Sequence, residues 1–178
     1  MSPKAIVPAL GAVLLLTRPA TAQLIPTPED MGLNYSVYAG AALLTNNKMN
    51  NTNSVMIGFA YYDSAGENFG QYSMFGITAD WTQIERNDGK AVQYVPVLFN
   101  YRQYGFISNL RVFVNLGVGL LVTTDSINDM NLSSGANFGW SAGLGFDVTN
   151  NLCFQARFIG SKNPGDDGLA SIQLGYRF

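Results

Sequence analysis

From Asn34 onward the chain alternates. Apolar residues recur at every second position through eight segments, each closed by a cluster of turn-forming residues. Period-two alternation marks a β-strand whose two faces meet different surroundings, because successive side chains point to opposite sides. The predicted strands are Asn34–Leu44, Ser54–Tyr62, Gln71–Ile84, Val92–Arg102 (fading near Gly105), Leu110–Val122, Asn137–Val148, Leu152–Ser161 and Leu169–Phe178. The closing clusters include Thr45-Asn46-Asn47-Lys48, Arg86-Asn87-Asp88-Gly89 and Asn163-Pro164-Gly165-Asp166-Asp167-Gly168, and the long polar stretch Thr123 to Ala136 parts the fifth and sixth strands. Helix competes poorly. Gly58, Gly76, Gly117, Gly119, Gly143 and Gly145 lie inside the segments, and each would cost a helix roughly 1 kcal/mol.

The two faces differ in kind. In the sixth strand Phe138, Trp140, Ala142, Leu144, Phe146 and Val148 oppose Asn137, Gly139, Ser141, Gly143, Gly145 and Asp147. In the fifth, Val112, Val114, Leu116, Val118, Leu120 and Val122 oppose Arg111, Phe113, Asn115, Gly117 and Gly119. In the third, Phe75, Ile77, Ala79 and Trp81 oppose Gly76, Thr78, Asp80 and Thr82. A soluble sandwich fills its wet face with Lys, Glu and Thr. Here the polar face is mainly Gly, Ser, Asn and Gln, which suits a narrow enclosed lumen, while the apolar face is continuous. That is the pattern of a transmembrane barrel, apolar outside and polar inside. Lipid forces the closure, since an open sheet edge would leave backbone groups unpaired in hydrocarbon. The predicted fold is therefore all-β: an eight-stranded antiparallel up-and-down transmembrane β-barrel.

Composition sharpens this. Only 12% of residues are charged, against roughly 25% in an ordinary soluble domain. The first residues read as a basic start, an apolar middle from Ala5 to Leu16 and a small-residue end, Ala20-Thr21-Ala22, which is the form of a cleaved signal peptide. The expected division is 1–22 signal peptide, 23–33 periplasmic lead-in and 34–178 barrel, leaving 156 mature residues with a net charge of −4. No mature stretch has the ~20 consecutive apolar residues of a spanning helix. The negative charge disfavours nucleic-acid binding. With an N-terminus on the periplasmic side, connections one, three, five and seven face outward. The fifth is the longest and the sixth is a tight turn, while the second and fourth are not especially short.

The ending Ser171-Ile172-Gln173-Leu174-Gly175-Tyr176-Arg177-Phe178 resembles the C-terminal strand of bacterial outer-membrane proteins. Tyr94-Val95-Pro96-Val97-Leu98-Phe99-Asn100-Tyr101-Arg102 and Val114-Asn115-Leu116-Gly117-Val118-Gly119-Leu120 are similar to the fourth and fifth strands of small opacity-like outer-membrane barrels. The resemblance covers essentially the whole mature chain. It implies outer-membrane residence after export, with Tyr176 and Phe178 as the assembly signal. It also implies outer-membrane lipid, lipopolysaccharide, periplasmic chaperones and the barrel assembly machinery as partners. A monomer without cofactor, metal or nucleic acid is expected. The family spans adhesins, structural anchors, small channels and lipid-modifying enzymes. Pro96 departs from an ideal ladder and predicts a bulge or local break.

Enzymatic chemistry finds little to use. The outer-membrane lipid A deacylases, palmitoyltransferases and omptin-type proteases share this architecture but use a catalytic His, and this chain has none. The carboxylate clusters Asp166-Asp167 and Asp125/Asp129 lie in Gly- or Asn-rich loops, where Asp forms turns. The stretch Pro164 to Gly168 lacks enough spaced oxygen ligands for calcium. Gly117-Val118-Gly119 is not a dinucleotide fingerprint, because no helix follows. Cys153, the single cysteine, reads as inert packing.

The in-strand charges carry more. Facing lipid, each would cost ~2–4 kcal/mol near the midplane. Asp80, Arg111, Asp147, Arg157 and Arg177 are therefore expected in the lumen, with Arg102 near the periplasmic rim. Arg111 and Asp147 are expected close together at the periplasmic end, and Arg157 and Asp80 to pair across the lumen. Such a network either plugs the barrel, the favoured reading for eight strands, or lines a gated path for ions or small solutes. Tyr35, Tyr61, Tyr72, Trp81, Tyr101 and Trp140 are expected in interfacial aromatic girdles. The expected function is non-enzymatic, structural or surface-interacting through the outer loops. A small channel is the alternative. A soluble exported ligand-binding barrel is disfavoured by the Gly/Ser/Asn faces.

Overall fold

A computed structural model describes residues 34–45, 54–64, 73–85, 91–107, 110–126, 133–161 and 168–178. The signal and lead-in segments, Tyr72, Asp129 and Asp166-Asp167 lie outside the described residues. Eight strands follow one another: β1 Tyr35–Leu44, β2 Ser54–Ser64, β3 Ser73–Glu85, β4 Ala91–Ile107, β5 Leu110–Thr123, β6 Gly135–Asp147, β7 Leu152–Ser161 and β8 Gly168–Arg177. Each pairs antiparallel with the next, and β1 closes on β8, giving the up-and-down barrel that the alternation predicts. Closure is completed beside the chain end: the Tyr35 amide donates to the Phe178 carbonyl at 3.2 Å, and the Phe178 amide donates to the Tyr35 carbonyl at 3.0 Å.

Two strands differ from their predicted spans in an instructive way. β4 continues to Ile107, past the predicted fade at Arg102 to Gly105, and pairs residue by residue with β5 down to Ile107↔Leu110. Only residues 108–109 thus separate the paired ends of β4 and β5. Gly105 is a ladder member paired with Val112, not a terminator. β6 starts at Gly135, earlier than the expected Asn137. Gly135 has φ +101°, a left-handed conformation that glycine adopts without steric cost. At Pro96 the β3–β4 ladder lapses opposite Asp80 and Trp81, then resumes in the same register at Thr82↔Tyr94. The missing amide breaks the ladder locally without inserting a bulge.

The strands sort their side chains strictly. Along β3, Met74, Thr78, Asp80, Thr82 and Ile84 are buried, while Phe75, Ile77 and Trp81 are exposed. The same alternation carries Val118 and Leu120 in β5, Phe138 and Leu144 in β6, and Ile172, Leu174 and Tyr176 in β8 to the outside. Exposure of large apolar side chains around a whole barrel exceeds any patch a water-soluble monomer tolerates. Lipid removes the penalty. No helix among the described residues is long and apolar enough to cross a membrane.

Candidate functional site

Inside the barrel the side chains form layers. Take the end carrying Tyr35 and Phe178 as the lower end. At the lower rim, Arg111 Nε approaches Asp147 Oδ2 at 3.4 Å and Arg177 Nη2 reaches Asp147 Oδ1 at 2.5 Å. Arg111 and Asp147 meet because β5 begins where β6 ends. Arg177 also donates to the Tyr104 hydroxyl at 2.9 Å, and Arg111 to Asn150 Oδ1 at 2.6 Å.

One layer up lies Arg102, 1% exposed and deeper than the rim position expected of it. The extension of β4 to Ile107 explains the shift: five more residues stand between Arg102 and the rim. Its guanidinium is sandwiched between the rings of Tyr62 and Phe113, at 4.0 and 4.2 Å from their centroids. It donates to the hydroxyls of Tyr38 (3.2 Å) and Tyr62 (3.1 Å) and to Gln155 Oε1 (3.4 Å). Ring faces and phenol oxygens thus hold this cation without a carboxylate.

From Gln155 the network climbs. Gln155 donates to Gln173 at 2.7 Å, and Gln173 donates to Asp80 Oδ1 at 3.2 Å. Arg157 pairs with the other oxygen of Asp80 and donates to Thr78 Oγ1 at 3.3 Å. Asn100 donates to the same Thr78 oxygen at 2.9 Å. The backbone makes room for these large groups with inward glycines. A Cβ on Gly58 would strike Asp80, one on Gly117 would strike Asn100 and Ser141, and one on Gly145 would strike Phe113. The small residues are therefore the sockets of the large ones.

Above the network the character changes. Ala42, Met56, Ile84, Val92, Tyr94, Leu98, Leu121, Ile159 and Leu169 pack as one buried apolar cluster. The expectation of a polar lumen throughout is corrected here, since the upper part is mainly apolar, with the hydroxyls of Thr82, Tyr94, Thr123 and Ser161 among the hydrocarbon. Near the bottom, Tyr38, Ala60, Tyr62, Met74, Tyr104, Phe113 and Cys153 form a second apolar cluster around Arg102.

Of the residues singled out from sequence, Asp80, Arg102, Arg111, Asp147, Arg157 and Arg177 all lie buried inside, in two separate groups linked through Gln155. Sequence reasoning passed over Tyr38, Tyr62, Tyr104, Gln155 and Gln173. Parity with Gly40, Gly58 and Gly175 was the available signal for Tyr38, Tyr62 and Gln173, and parity with Arg102 and Arg157 for Tyr104 and Gln155. Outside, Tyr35 lies against Phe59, Tyr61 and Phe178, with the Tyr61 ring at 5.2 Å and the Phe178 ring stacked at 6.2 Å. Tyr101 packs on Phe75 at 5.3 Å. These make a lower aromatic arc. Trp81 stands nearer the other end, as does Trp140, whose ring covers Gly160 and meets Phe158 at 5.5 Å.

An apolar, aromatic-banded exterior around a filled, hydrogen-bonded lumen defines a small eight-stranded β-barrel of the outer-membrane kind. A solved structure agrees on the fold. The chain is similar to the outer-membrane enzyme PagL at 18% identity, with a TM-score of 0.59 over 80% of this chain and 98% of that one. It is also similar to the Yersinia pestis outer membrane protein Ail (16% identity, TM-score 0.45, 82% of this chain, 99% of that one). Outer membrane protein OprG from Pseudomonas aeruginosa matches at 13% identity, TM-score 0.43, over 82% of this chain and 96% of that one. No protein-family model matches the chain, and no curated protein does.

Proposed function

We propose that this is a non-enzymatic barrel of the bacterial outer membrane, reached after signal-directed export, whose lumen is closed by its own side chains and whose role is structural or surface-interacting through the extracellular loops. The observation that carries the reading is the continuous fill of the interior, from the Asp147 cluster through Arg102, Gln155, Gln173 and Asp80 to the apolar layer above. Each buried in-strand charge among the described residues is engaged in this internal network, which leaves the loops as the variable, solvent-facing part. The absence of His from the chain further disfavours the acid–base chemistry most often used in hydrolysis. The partners proposed are outer-membrane lipid and lipopolysaccharide around the belt. During transit they are periplasmic chaperones and the barrel assembly machinery, with Tyr176 and Phe178 as the signal that machinery reads.

The test is membrane fractionation with heat-modifiable gel migration, for the full chain and for a chain lacking Phe178. The full chain is expected in the outer membrane as a compact, SDS-resistant species that shifts on boiling. The truncated chain is expected to lose that species. Recovery of the full chain as a soluble periplasmic monomer, or steady ion conductance by the unaltered protein in planar bilayers, would contradict the proposal.

A further inference from the structure

The two halves of the lumen pose a question that the closed-barrel reading leaves open: which half does the closing. The middle and lower layers are polar and imperfectly satisfied. Asn100 Oδ1, Asn115 Nδ2, Ser141 Oγ, Arg102 Nε and Arg157 Nε are buried without a hydrogen-bond partner. Buried polar atoms of this kind ordinarily hold water. The upper layer is mainly apolar and carries no charge, its polar members being the hydroxyls of Tyr94, Thr82, Thr123 and Ser161. Its members Ala42, Met56, Val92, Leu98, Leu121 and Ile159 are all 0% exposed. Within that cluster the one polar side-chain atom is the Tyr94 hydroxyl, which has no partner either.

The layer is also complete around the wall. Among the described residues β1, β2, β3, β4, β5, β7 and β8 each contribute a side chain to it. β6 contributes Gly139, and a Cβ there would strike the Leu121 side chain, so the glycine seats the leucine that fills its place. An apolar constriction stops ions by refusing them water, whether or not charged groups lie beyond it.

We infer that this apolar layer is the ion seal of the barrel, and that the charged network beneath it is a wet, anion-preferring vestibule rather than the plug. The preference follows from charge: the described lumen holds Arg102, Arg111, Arg157 and Arg177 against Asp80 and Asp147, an excess of two positive charges in a confined, low-dielectric space. The inference rests on the lumen being closed in the unaltered protein.

The experiment is planar-bilayer recording on the full chain under a KCl gradient, with heat-modifiable migration as the folding check on every variant. The unaltered protein is expected to be silent. Leu98→Ser combined with Leu121→Ser is expected to give discrete conductance steps whose reversal potential moves toward that of chloride. Val92→Thr with Ile84→Thr, nearer in shape to the original pair, is expected to do the same and serves if the first variant does not fold. Asp80→Leu with Arg157→Met, which removes the ion pair and leaves the seal, is expected to stay silent. Folded seal variants that remain silent, a seal variant selective for potassium, or conduction by the Asp80/Arg157 variant would each overturn the inference while sparing the closed-lumen reading. Conduction by the unaltered protein would overturn that reading itself.

Discussion

The outer and inner walls of this barrel are built from the same strands, yet they obey different rules. Outside, each side chain needs only to be apolar, because its neighbour is fluid lipid that adapts to any shape. Inside, the large polar side chains meet specific partners at set distances, and glycines on adjoining strands make room for several of them. Val118 and Gly117 are consecutive residues of β5, one on each wall. Val118 is exposed to the surroundings at 52%. A Cβ on Gly117 would collide with Asn100 and Ser141. The difference teaches that specificity of this fold resides in the lumen, while the exterior supplies the partition into the membrane.

Substitutions ranked by effect can break that comparison. The largest loss is expected for Asp147→Ala. It strands Arg111 and Arg177, both ion-paired to the same buried carboxylate, and breaking a buried pair costs about 3–5 kcal/mol. Urea unfolding from lipid vesicles, followed by Trp81 and Trp140 emission, should show a lower midpoint. An unchanged midpoint would mean that the rim cluster is dispensable.

On the outer wall the corresponding change is Ile77→Arg. Ile77 lies part-way up β3 and is 54% exposed. A cation there is expected to cost ~2–4 kcal/mol against lipid, measured the same way. A negligible cost would remove the lipid from that surface.

The paired substitutions at the β5 positions sharpen the contrast. Gly117→Val should destabilise by about 1–3 kcal/mol through overpacking. Val118→Leu, one residue on, should stay within ~0.5 kcal/mol. Equal effects at the two positions would erase the distinction between the walls.

Much of this was legible in the sequence, for a physical reason. Lipid on one face and a narrow lumen on the other leave little freedom, so parity alone orients nearly every strand residue among those described. The charges were legible because an unpaired charge cannot face hydrocarbon. That argument brought Asp80 and Arg157 inside and set Arg111 beside Asp147. The end of β4 was not legible from its own residues. Gln103-Tyr104-Gly105 looks like a fading strand, and only the pairing of Gly105 with Val112 extends it. Arg102 was misplaced for that reason, and its clamp was missed because its partners are aromatic hydroxyls and ring faces rather than carboxylates. The upper apolar layer was hidden by its composition. Ala42, Met56, Leu98, Leu121 and Ile159 share parity with the small polar residues, so in the upper third both faces read as apolar.

The central claim is that one parity of each strand faces lipid and the other faces a closed interior. The most direct measurement is spin-label accessibility along β3 in vesicles, with single cysteines introduced at positions 74 to 84 in a Cys153→Ser background. The account predicts period-two collision with dissolved oxygen, strong at Phe75, Ile77, Ala79 and Trp81 and weak between them, with little collision at either parity with a water-soluble nickel chelate. Strong nickel collision at Phe75, Ile77 and Trp81 would place that face in water and contradict the account.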